Sequence, residues 1–291
     1  MGVWYTDLVQ SAAAAPGSIA GGLIGREVGH FRLEQLLGEG AFGAVFAAQH
    51  TAIHSRRAAV KVLHPRLALA EDIKRRFINE ADAASRTDHE NIVQVFDGGV
   101  TDDGLCYVVM ELLRGRSLAQ VLKDGPLAWE RACNIGAQVA GALAAAHDLG
   151  IIHRDLKPDN LMVLAREANA EFVKVLDFGI AKLVSDDQHT QTGMWMGTPP
   201  YMSPEQWQTL PDIDGRTDIY ALGVILFQCL TGRRPYDAAS PYAWLNAHLF
   251  QAIPDPGEAA APPELRGLVM AMMAKNRAQR PQTMREVAQH L

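Results

Sequence analysis

The spacing of hydrophobic residues divides the chain into a strand-rich first part and a helical second part. Residues 31–62 consist of short apolar runs broken by glycines, a pattern typical of strands joined by tight turns. Residues 71–86 carry apolar side chains at three- and four-residue steps, which predicts an amphipathic helix. Further strands are predicted at residues 92–96 and 105–112, on either side of a polar turn.

Helical periodicity dominates the chain after Gly115. Helices are predicted at residues 117–123, 129–149, 219–231, 242–250, 264–274 and 284–291. One more strand is predicted at residues 172–176. The change of pattern predicts a small lobe at residues 26–113 and a larger helical lobe at 114–291, behind a flexible Ala/Gly-rich leader at 1–25.

Composition and charge exclude several classes of protein. The 291 residues are 48% hydrophobic and 21% charged, which argues against disorder of the whole chain. A net charge of −6 argues against a nucleic-acid-binding protein, which normally carries a basic face. No apolar run reaches the roughly 20 residues needed to cross a bilayer, so no membrane span is expected in this chain. Three cysteines without CxxC spacing favour a reducing compartment over a disulfide framework.

The first candidate site for chemistry is the glycine-rich segment at residues 38–45. Gly38, Gly40 and Gly43 would allow backbone N–H groups to approach a phosphate closely. Strands are predicted on both sides, so the glycines lie at the tip of a hairpin and not at the strand-to-helix turn of a dinucleotide-binding fold. A hairpin without any ligand is the alternative interpretation.

Lys61 lies within an apolar strand, where a lysine either extends to solvent from an edge or pairs with an anion. Glu80, on the following predicted helix, could supply the anionic partner while Lys61 holds phosphate oxygens.

The most informative segment is His-Arg-Asp-Leu-Lys-Pro-Asp-Asn at residues 153–160. The Asp155 carboxylate can accept a hydroxyl proton, Lys157 can neutralise a migrating phosphoryl group, and the Asn160 side-chain oxygen can bind a divalent cation. Asp177 begins an Asp-Phe-Gly sequence 17 residues later and offers a second oxygen ligand for Mg²⁺.

In this order, these segments resemble the catalytic domain of bacterial eukaryotic-like (Hanks-type) serine/threonine protein kinases. Ser203-Pro204-Glu205, Asp218 and Arg280 also match the family, and the resemblance covers about residues 28–291. It implies an α+β, bilobal fold with a small antiparallel-sheet N-lobe, one key helix and a mostly helical C-lobe. It also implies transfer of the ATP γ-phosphate to Ser or Thr hydroxyls of proteins, with Mg²⁺ or alternatively Mn²⁺ as cofactor.

The resemblance also implies a role for individual residues. Lys61, paired with Glu80, would contact the ATP phosphates; Asp155 would be the catalytic base and Lys157 the phosphoryl stabiliser. Asn160 and Asp177 would be the metal ligands. The adenine pocket would be formed by the residues Leu37, Val45, Ala59, Met110, Glu111, Leu113 and Met162, with the glycine loop over the phosphates.

The resemblance also implies which residues bind the substrate and which support the structure. Thr198 would bond near Asp155 and Lys157 and shape the site for the substrate hydroxyl. Glu205 and Arg280 would form a buried structural ion pair, and Asp218 would be structural.

Regulation is implied by Arg154, which lies beside Asp155 and needs an anion. Autophosphorylation of Thr190 or Thr192 would supply a phosphate that docks on Arg154 and Lys182. Self-association through the N-lobe is a further possibility that the resemblance raises.

Two alternative functions are compatible with parts of this pattern. A pseudokinase would be expected to lack Lys61, Asp155, Asn160 or Asp177, all of which are present. A small-molecule kinase would share the catalytic loop but usually lacks the segment at residues 198–205 and a partner such as Arg280. The expected location is the cytoplasm, either as a separate protein or as the cytoplasmic part of a longer membrane-anchored protein.

Overall fold

The structure is a computed structural model that describes residues 19–40, 42–165, 171–177 and 198–291, apart from the side chains of Ala20, Arg76, Glu80 and Ala83. The chain divides into two compact units. Of the described residues, the first unit contains those up to 86 together with 93–115, and the second contains those at 87–92 and 116–291.

The first unit is built on a six-stranded antiparallel sheet with the strand order β1-β2-β3-β4-β6-β5. Its strands are β1 (Glu27–Val28), β2 (Phe31–Gly40), β3 (Gly43–His50), β4 (Arg57–Leu63), β5 (Val95–Val100) and β6 (Cys106–Met110). Its helices are α1 (Ala20–Leu23) and α2 (Glu71–Arg86).

Helix α2 has the bounds that the sequence predicts. Its buried residues Ile73, Phe77 and Ala84 recur at the helical period, and this face packs against β5 and β6. The acidic residues Glu71 and Asp72 lie in its first turn, where the helix dipole favours negative charge.

Two features of the first unit differ from the predictions. The strand predicted at residues 92–96 is β5, which begins at Val95, because Ile92 instead forms a bridge with Val175 in the second unit's sheet. Within the segment predicted as a leader, α1 buries Leu23 in the core of the first unit. Residues 1–18 of the predicted leader lie outside the described residues.

The second unit is mostly helical. Its helices are α3 (Leu118–Val121), α4 (Trp129–Asp148), α5 (Pro204–Trp207), α6 (Arg216–Thr231), α7 (Pro241–Phe250), α8 (Pro263–Met272) and α9 (Met284–His290). A three-stranded sheet is formed by β7 (Arg116–Ser117), β8 (Leu161–Leu164) and β9 (Phe172–Val175).

Helix α6 is the centre of the second unit's core. It is buried around its whole circumference and packs against α4 and α8, as expected for a helix that is apolar on every side. The sequence does not predict β7, β8 or α5, since each is at most four residues long and no periodicity can develop over that length.

Within the described residues, no helix combines the length and apolarity needed to cross a membrane. Cys106, Cys133 and Cys229 are all free thiols, and the first and last of them are buried.

Candidate active site

In the first unit, several of the predicted nucleotide-binding residues share one face of the sheet. Lys61 on β4 is paired with Val45 on β3 and Val108 on β6, while Ala59 is paired with Met110. Cross-strand partners project from the same face of a sheet. The opposite face carries the buried core of this unit, which includes Phe46, Val60 and Val109. The predicted residues therefore point away from the core that holds the sheet together.

The three glycines of the hairpin differ in what the fold requires of them. A Cβ atom at Gly43 would lie 2.0 Å from the Val62 carbonyl oxygen, so the pairing of β3 with β4 excludes any side chain there. A Cβ atom at Gly38 or Gly40 would meet nothing within 4 Å. The fold alone thus explains Gly43 but leaves the other two without a structural reason.

The segment after β6 is held by a reciprocal contact. The Glu111 N–H donates to the Gln94 carbonyl oxygen at 2.9 Å, and the Glu111 Oε1 accepts from the Gln94 N–H at 2.8 Å. Leu113 follows in the same segment and is half-buried, as is Leu37 on β2. Met162 lies on β8 of the second unit and is buried. Glu80 belongs to α2, but its side chain lies outside the described part of the chain.

In the second unit, three predicted residues form a closed cluster. Lys157 Nζ donates to Asp155 Oδ2 at 2.7 Å and to Thr198 Oγ1 at 2.9 Å. The Thr198 hydroxyl donates to Asp155 Oδ1 at 2.8 Å, and its backbone N–H donates to the same oxygen at 3.2 Å. The predicted contact of Thr198 with both residues is therefore present. The cluster places a carboxylate, an ammonium group and a hydroxyl within reach of one another.

The two predicted metal ligands are brought together by the pairing of β8 with β9. Leu161 is paired with Val175, so Asn160 and Asp177 lie at the same end of this hairpin. The Leu176 N–H donates to the Asn160 carbonyl oxygen at 2.8 Å. The strand pairing thus brings Asn160 and Asp177 to one place although they are 17 positions apart in the sequence.

Asn160 and Asp177 fit a magnesium ion by their chemistry. The Asn160 Nδ2 group donates to the Asp155 carbonyl oxygen at 2.9 Å, which leaves Oδ1 for a cation. Asp177 has a φ of +52°, a left-handed conformation that is uncommon for residues other than glycine. No group of three or more His, Cys, Asp or Glu that could hold a metal occurs in the described ranges. Mg²⁺ usually takes only one or two protein ligands and completes its shell with phosphate oxygens and water.

Asp218 is the buried support of the catalytic loop. Its Oδ2 accepts from the His153 N–H at 2.9 Å and contacts His147 Nε2 at 2.8 Å, while Oδ1 accepts from the Arg154 N–H at 2.8 Å. Complete burial raises the pKa of Asp218, but the hydrogen bond and charge of His147 and the His153 backbone N–H outweigh burial and lower it. Asp218 therefore stays ionised and holds Arg154 at its positive φ of +64°.

His147 was not identified from the sequence. The one available signal is its position on α4, one turn after the buried Leu143, where an apolar residue is expected.

The side chain of Arg154 has no hydrogen bond or ion pair with any residue in the described part of the chain. Both backbone polar groups of Arg154 are held: its N–H donates to Asp218, and its carbonyl oxygen accepts from Gln206 Nε2 at 2.7 Å. The predicted phosphate-related residues Lys182, Thr190 and Thr192 lie outside the described residues.

The predicted ion pair between Glu205 and Arg280 is present and buried. The guanidinium group donates to both carboxylate oxygens, at 2.7 and 2.8 Å, and also to the carbonyl oxygens of Ala274 and Arg216. Burial raises the pKa of Glu205, but the hydrogen bonds and charge of Arg280 outweigh it and lower the pKa. This bidentate pair joins the start of α5 to the segment after α8.

Comparison with known proteins assigns this set of residues to a family. The protein kinase domain model matches residues 31–291. The chain is 45% identical over 258 residues to the serine/threonine-protein kinase Pkn1 of Myxococcus xanthus, with 87% of this chain and 36% of that protein covered. It is 40% identical over 261 residues to the serine/threonine-protein kinase PknD of Mycobacterium tuberculosis, with 88% and 38% covered.

A solved structure shows the same fold. The PknI kinase domain of Mycobacterium tuberculosis superposes with a TM-score of 0.70 at 29% identity, covering 91% of this chain and 96% of that one. The chain belongs to the protein kinase domain family, and its relatives place it in the bacterial, Hanks-type serine/threonine branch. The predicted α+β kinase fold is confirmed. The chain spans between 32% and 49% of the length of three curated Myxococcus relatives.

Proposed function

We propose that this chain is a catalytic unit that transfers the γ-phosphate of ATP to Ser and Thr hydroxyl groups of proteins. The observation that carries the proposal is the position of Lys157 Nζ, which donates both to Asp155 Oδ2 and to Thr198 Oγ1. Thr198 comes from a segment that a small-molecule kinase usually lacks, and here it reaches the catalytic carboxylate directly.

The chemistry follows from this cluster. The acceptor hydroxyl lies beside Asp155, its oxygen forms a bond to the γ-phosphorus, and the bond from that phosphorus to the bridging oxygen breaks as ADP leaves. Asp155 accepts the hydroxyl proton, and Lys157 neutralises charge on the phosphoryl oxygens. Asn160 and Asp177 would hold Mg²⁺, which would supply charge neutralisation on the phosphates. Lys61, supported by Glu80, would hold the phosphate oxygens, and Gly38 and Gly40 would let the hairpin backbone approach them.

The adenine ring would lie against the sheet face that carries Val45, Ala59 and Met110. The backbone of Glu111 and Leu113 would hydrogen-bond its edge, with Leu37 and Met162 completing the pocket. The reciprocal contact of Glu111 with Gln94 supports this proposal because it fixes the backbone that would hydrogen-bond to the adenine edge.

The test is transfer of radiolabelled phosphate from ATP to myelin basic protein, in Mg²⁺ and in Mn²⁺. We expect transfer by the wild-type chain and its loss in Asp155→Asn and Lys61→Met. Thr198→Val removes a hydrogen bond to the Asp155 carboxylate and should lower kcat by about 10- to 100-fold, while Thr198→Ser, which keeps the hydroxyl, should retain most of the activity. No transfer by the wild type with either metal would contradict the proposal and favour a pseudokinase.

We further propose that phosphate on Thr190 or Thr192, added by autophosphorylation, binds Arg154 together with Lys182. The unpaired guanidinium of Arg154 within the described residues supports this, because a partly buried cation needs an anion. Phosphopeptide mapping after incubation with MgATP tests it. The expected result is phosphate on one or both threonines; an unmodified pair would contradict the proposal.

We propose that residues 26–291 form the catalytic domain and that it acts in the cytoplasm, in keeping with its three free thiols. Homodimerisation through the N-lobe stays a prediction, which sedimentation of the purified chain can test.

A further inference from the structure

A histidine that the proposed mechanism does not use is buried beneath the substrate-side segment of the second unit. His248 on α7 has no solvent-exposed surface. Its ring stacks with Trp207 of α5 and with Trp244 of α7, at centroid distances of 6.2 and 5.8 Å and interplanar angles of 25° and 29°. Tyr236 meets the ring edge-on at 5.3 Å. This packing fixes the plane of the imidazole ring.

One ring nitrogen has a hydrogen-bond partner and the other has none of good geometry. His248 Nδ1 lies 2.8 Å from the Tyr220 hydroxyl oxygen. The buried Nε2 has no partner of hydrogen-bonding geometry. The Pro199 backbone lies close enough to favour a protonated ring, though burial and the charge of Lys275 dominate and lower the pKa of His248 to about 3. The ring is therefore neutral and carries one proton.

The position of that proton follows from counting donors. If Nδ1 donated to Tyr220, the Tyr220 hydroxyl proton and the Nε2 lone pair would both be buried without a partner. If the Tyr220 hydroxyl donates to Nδ1, only an Nε2–H group is left over. The second arrangement leaves fewer buried donors and acceptors without a hydrogen-bond partner. Because proline has no N–H, the Pro199 backbone can only accept, and because Nδ1 is taken by Tyr220, the Nε2–H group is the ring donor left for it.

Pro199 directly follows Thr198, the residue that bonds to Asp155 and Lys157. The short 3₁₀ turn Pro199–Tyr201 packs against α7, and the Tyr201 N–H donates to the Thr198 carbonyl oxygen at 2.9 Å. A hydrogen bond to the Pro199 carbonyl would therefore restrain the residue after Thr198 and would add to the direct bonds that hold Thr198 next to the catalytic carboxylate.

We propose that His248 is a positioning residue: its Nε2–H group closes a hydrogen bond to the Pro199 carbonyl when an acceptor protein occupies the site, and so holds Thr198 beside Asp155. Hydrogen bonds around a catalytic centre are often long without substrate and tighten in the complex. This inference rests on the proposed kinase function. It assigns to α7 a part in acceptor binding without any direct contact to the acceptor.

The test compares two substitutions that each retain a different hydrogen-bonding group of the histidine. His248→Gln keeps an N–H donor near the position of Nε2, whereas His248→Asn keeps an acceptor near Nδ1 but has no donor that reaches Pro199. We expect His248→Asn to raise the KM for myelin basic protein by about five- to tenfold, the effect of one hydrogen bond. The KM for ATP should stay unchanged, and His248→Gln should restore the acceptor KM. Tyr220→Phe, which removes only the Nδ1 contact, is the matched control and should leave the acceptor KM near the wild-type value.

Equal acceptor KM values for wild type and His248→Asn would overturn the proposal. Equal increases in His248→Asn, His248→Gln and Tyr220→Phe, in step with lower melting temperatures, would also overturn it, because they would show a purely structural role.

A second measurement does not depend on turnover. Hydrogen exchange of the Tyr201 and Met202 amides is measured with and without myelin basic protein. The acceptor should slow exchange in the wild type and in His248→Gln, but not in His248→Asn. If the wild type transfers no phosphate yet shows this pattern, the kinase proposal fails and the positioning role stands. If all variants exchange alike in the presence of the acceptor, the positioning role is wrong.

Discussion

Gly215 approaches His147 so closely that a Cβ atom at residue 215 would lie 2.6 Å from His147 Nδ1. The opposite nitrogen of the same ring, Nε2, contacts Asp218 at 2.8 Å. Gly215 therefore leaves the room that lets His147 reach Asp218, the carboxylate that holds the backbone of His153 and Arg154.

The first prediction is that Gly215→Ala pushes the His147 ring away from Asp218. The expected cost is about 1–3 kcal/mol of unfolding free energy, as for other substitutions that overfill a packed site. Phosphotransfer should fall as well, because the Asp218 carboxylate would lose a partner and the loop its fixed position. Urea unfolding and the radiolabel assay measure the two effects.

A matched control exists on α8, where a Cβ atom at Gly267 would meet nothing within 4 Å. Gly267→Ala should leave the unfolding free energy unchanged or raise it by up to about 1 kcal/mol, since alanine is the better helix former. Equal stability losses in the two variants would show that the His147 contact is not responsible.

The second prediction separates the glycines of the hairpin. Gly43→Ala should destabilise the first unit strongly, since its Cβ atom would lie 2.0 Å from the backbone oxygen of Val62. Gly38→Ala should fold with wild-type stability, because its Cβ atom meets nothing within 4 Å. If Gly38 brings the backbone to the ATP phosphates, Gly38→Ala should raise the KM for ATP. Thermal unfolding and ATP titration measure these effects, and a stable Gly43→Ala variant would contradict the prediction.

The third prediction concerns the buried ion pair. Glu205→Gln leaves the Arg280 charge buried with only carbonyl partners, which should cost about 3–5 kcal/mol of unfolding free energy. The control is the exposed pair of Arg285 and Asp148, whose side chains are 67% and 63% exposed. Asp148→Asn should cost less than about 1 kcal/mol. Similar losses from both substitutions in urea unfolding would refute the structural role of the buried pair.

The sequence predicts those parts of the molecule whose causes are local or are carried by a motif. Helix α2 is predicted with its observed bounds because its apolar period and acidic first turn lie within 16 residues. The contact of Thr198 with Asp155 and Lys157 was implied by the kinase resemblance. By contrast, β8 is only four residues long and has no period of its own.

Residues outside the kinase motifs whose importance comes from distant partners are not predicted. His147 contacts Asp218, 71 positions away, and His248 contacts Tyr220, 28 positions away. The sequence alone does not distinguish a histidine that only packs in a helical core from one that holds another residue in place. The distinction depends on which groups the fold places opposite each ring nitrogen. For the same reason, the glycine pattern could not separate Gly43, which the sheet requires, from Gly38, which it does not.

The last prediction follows from the burial of His248. Burial and the charge of Lys275 lower the pKa of His248 to about 3, whereas an unfolded histidine titrates near 6.5. Between these values the unfolded chain binds a proton that the folded chain does not. The contribution of His248 to stability is therefore fully present above pH 6.5 and is lost progressively as the pH falls toward 3. The unfolding free energy should drop by about 1.4 kcal/mol per pH unit from this group alone.

His248→Gln removes the titrating group, so the slope of unfolding free energy against pH should become shallower by about 1.4 kcal/mol per unit between roughly pH 4 and 6. The slope is the informative quantity, because a general loss of packing lowers stability at every pH without changing it. Urea unfolding at half-unit pH steps measures it, with the exposed His54→Gln as the control for loss of a histidine. Parallel curves for wild type and His248→Gln would mean that the ring takes up a proton in the folded chain. The single-donor assignment to Nε2, on which the positioning role of His248 depends, would then be wrong.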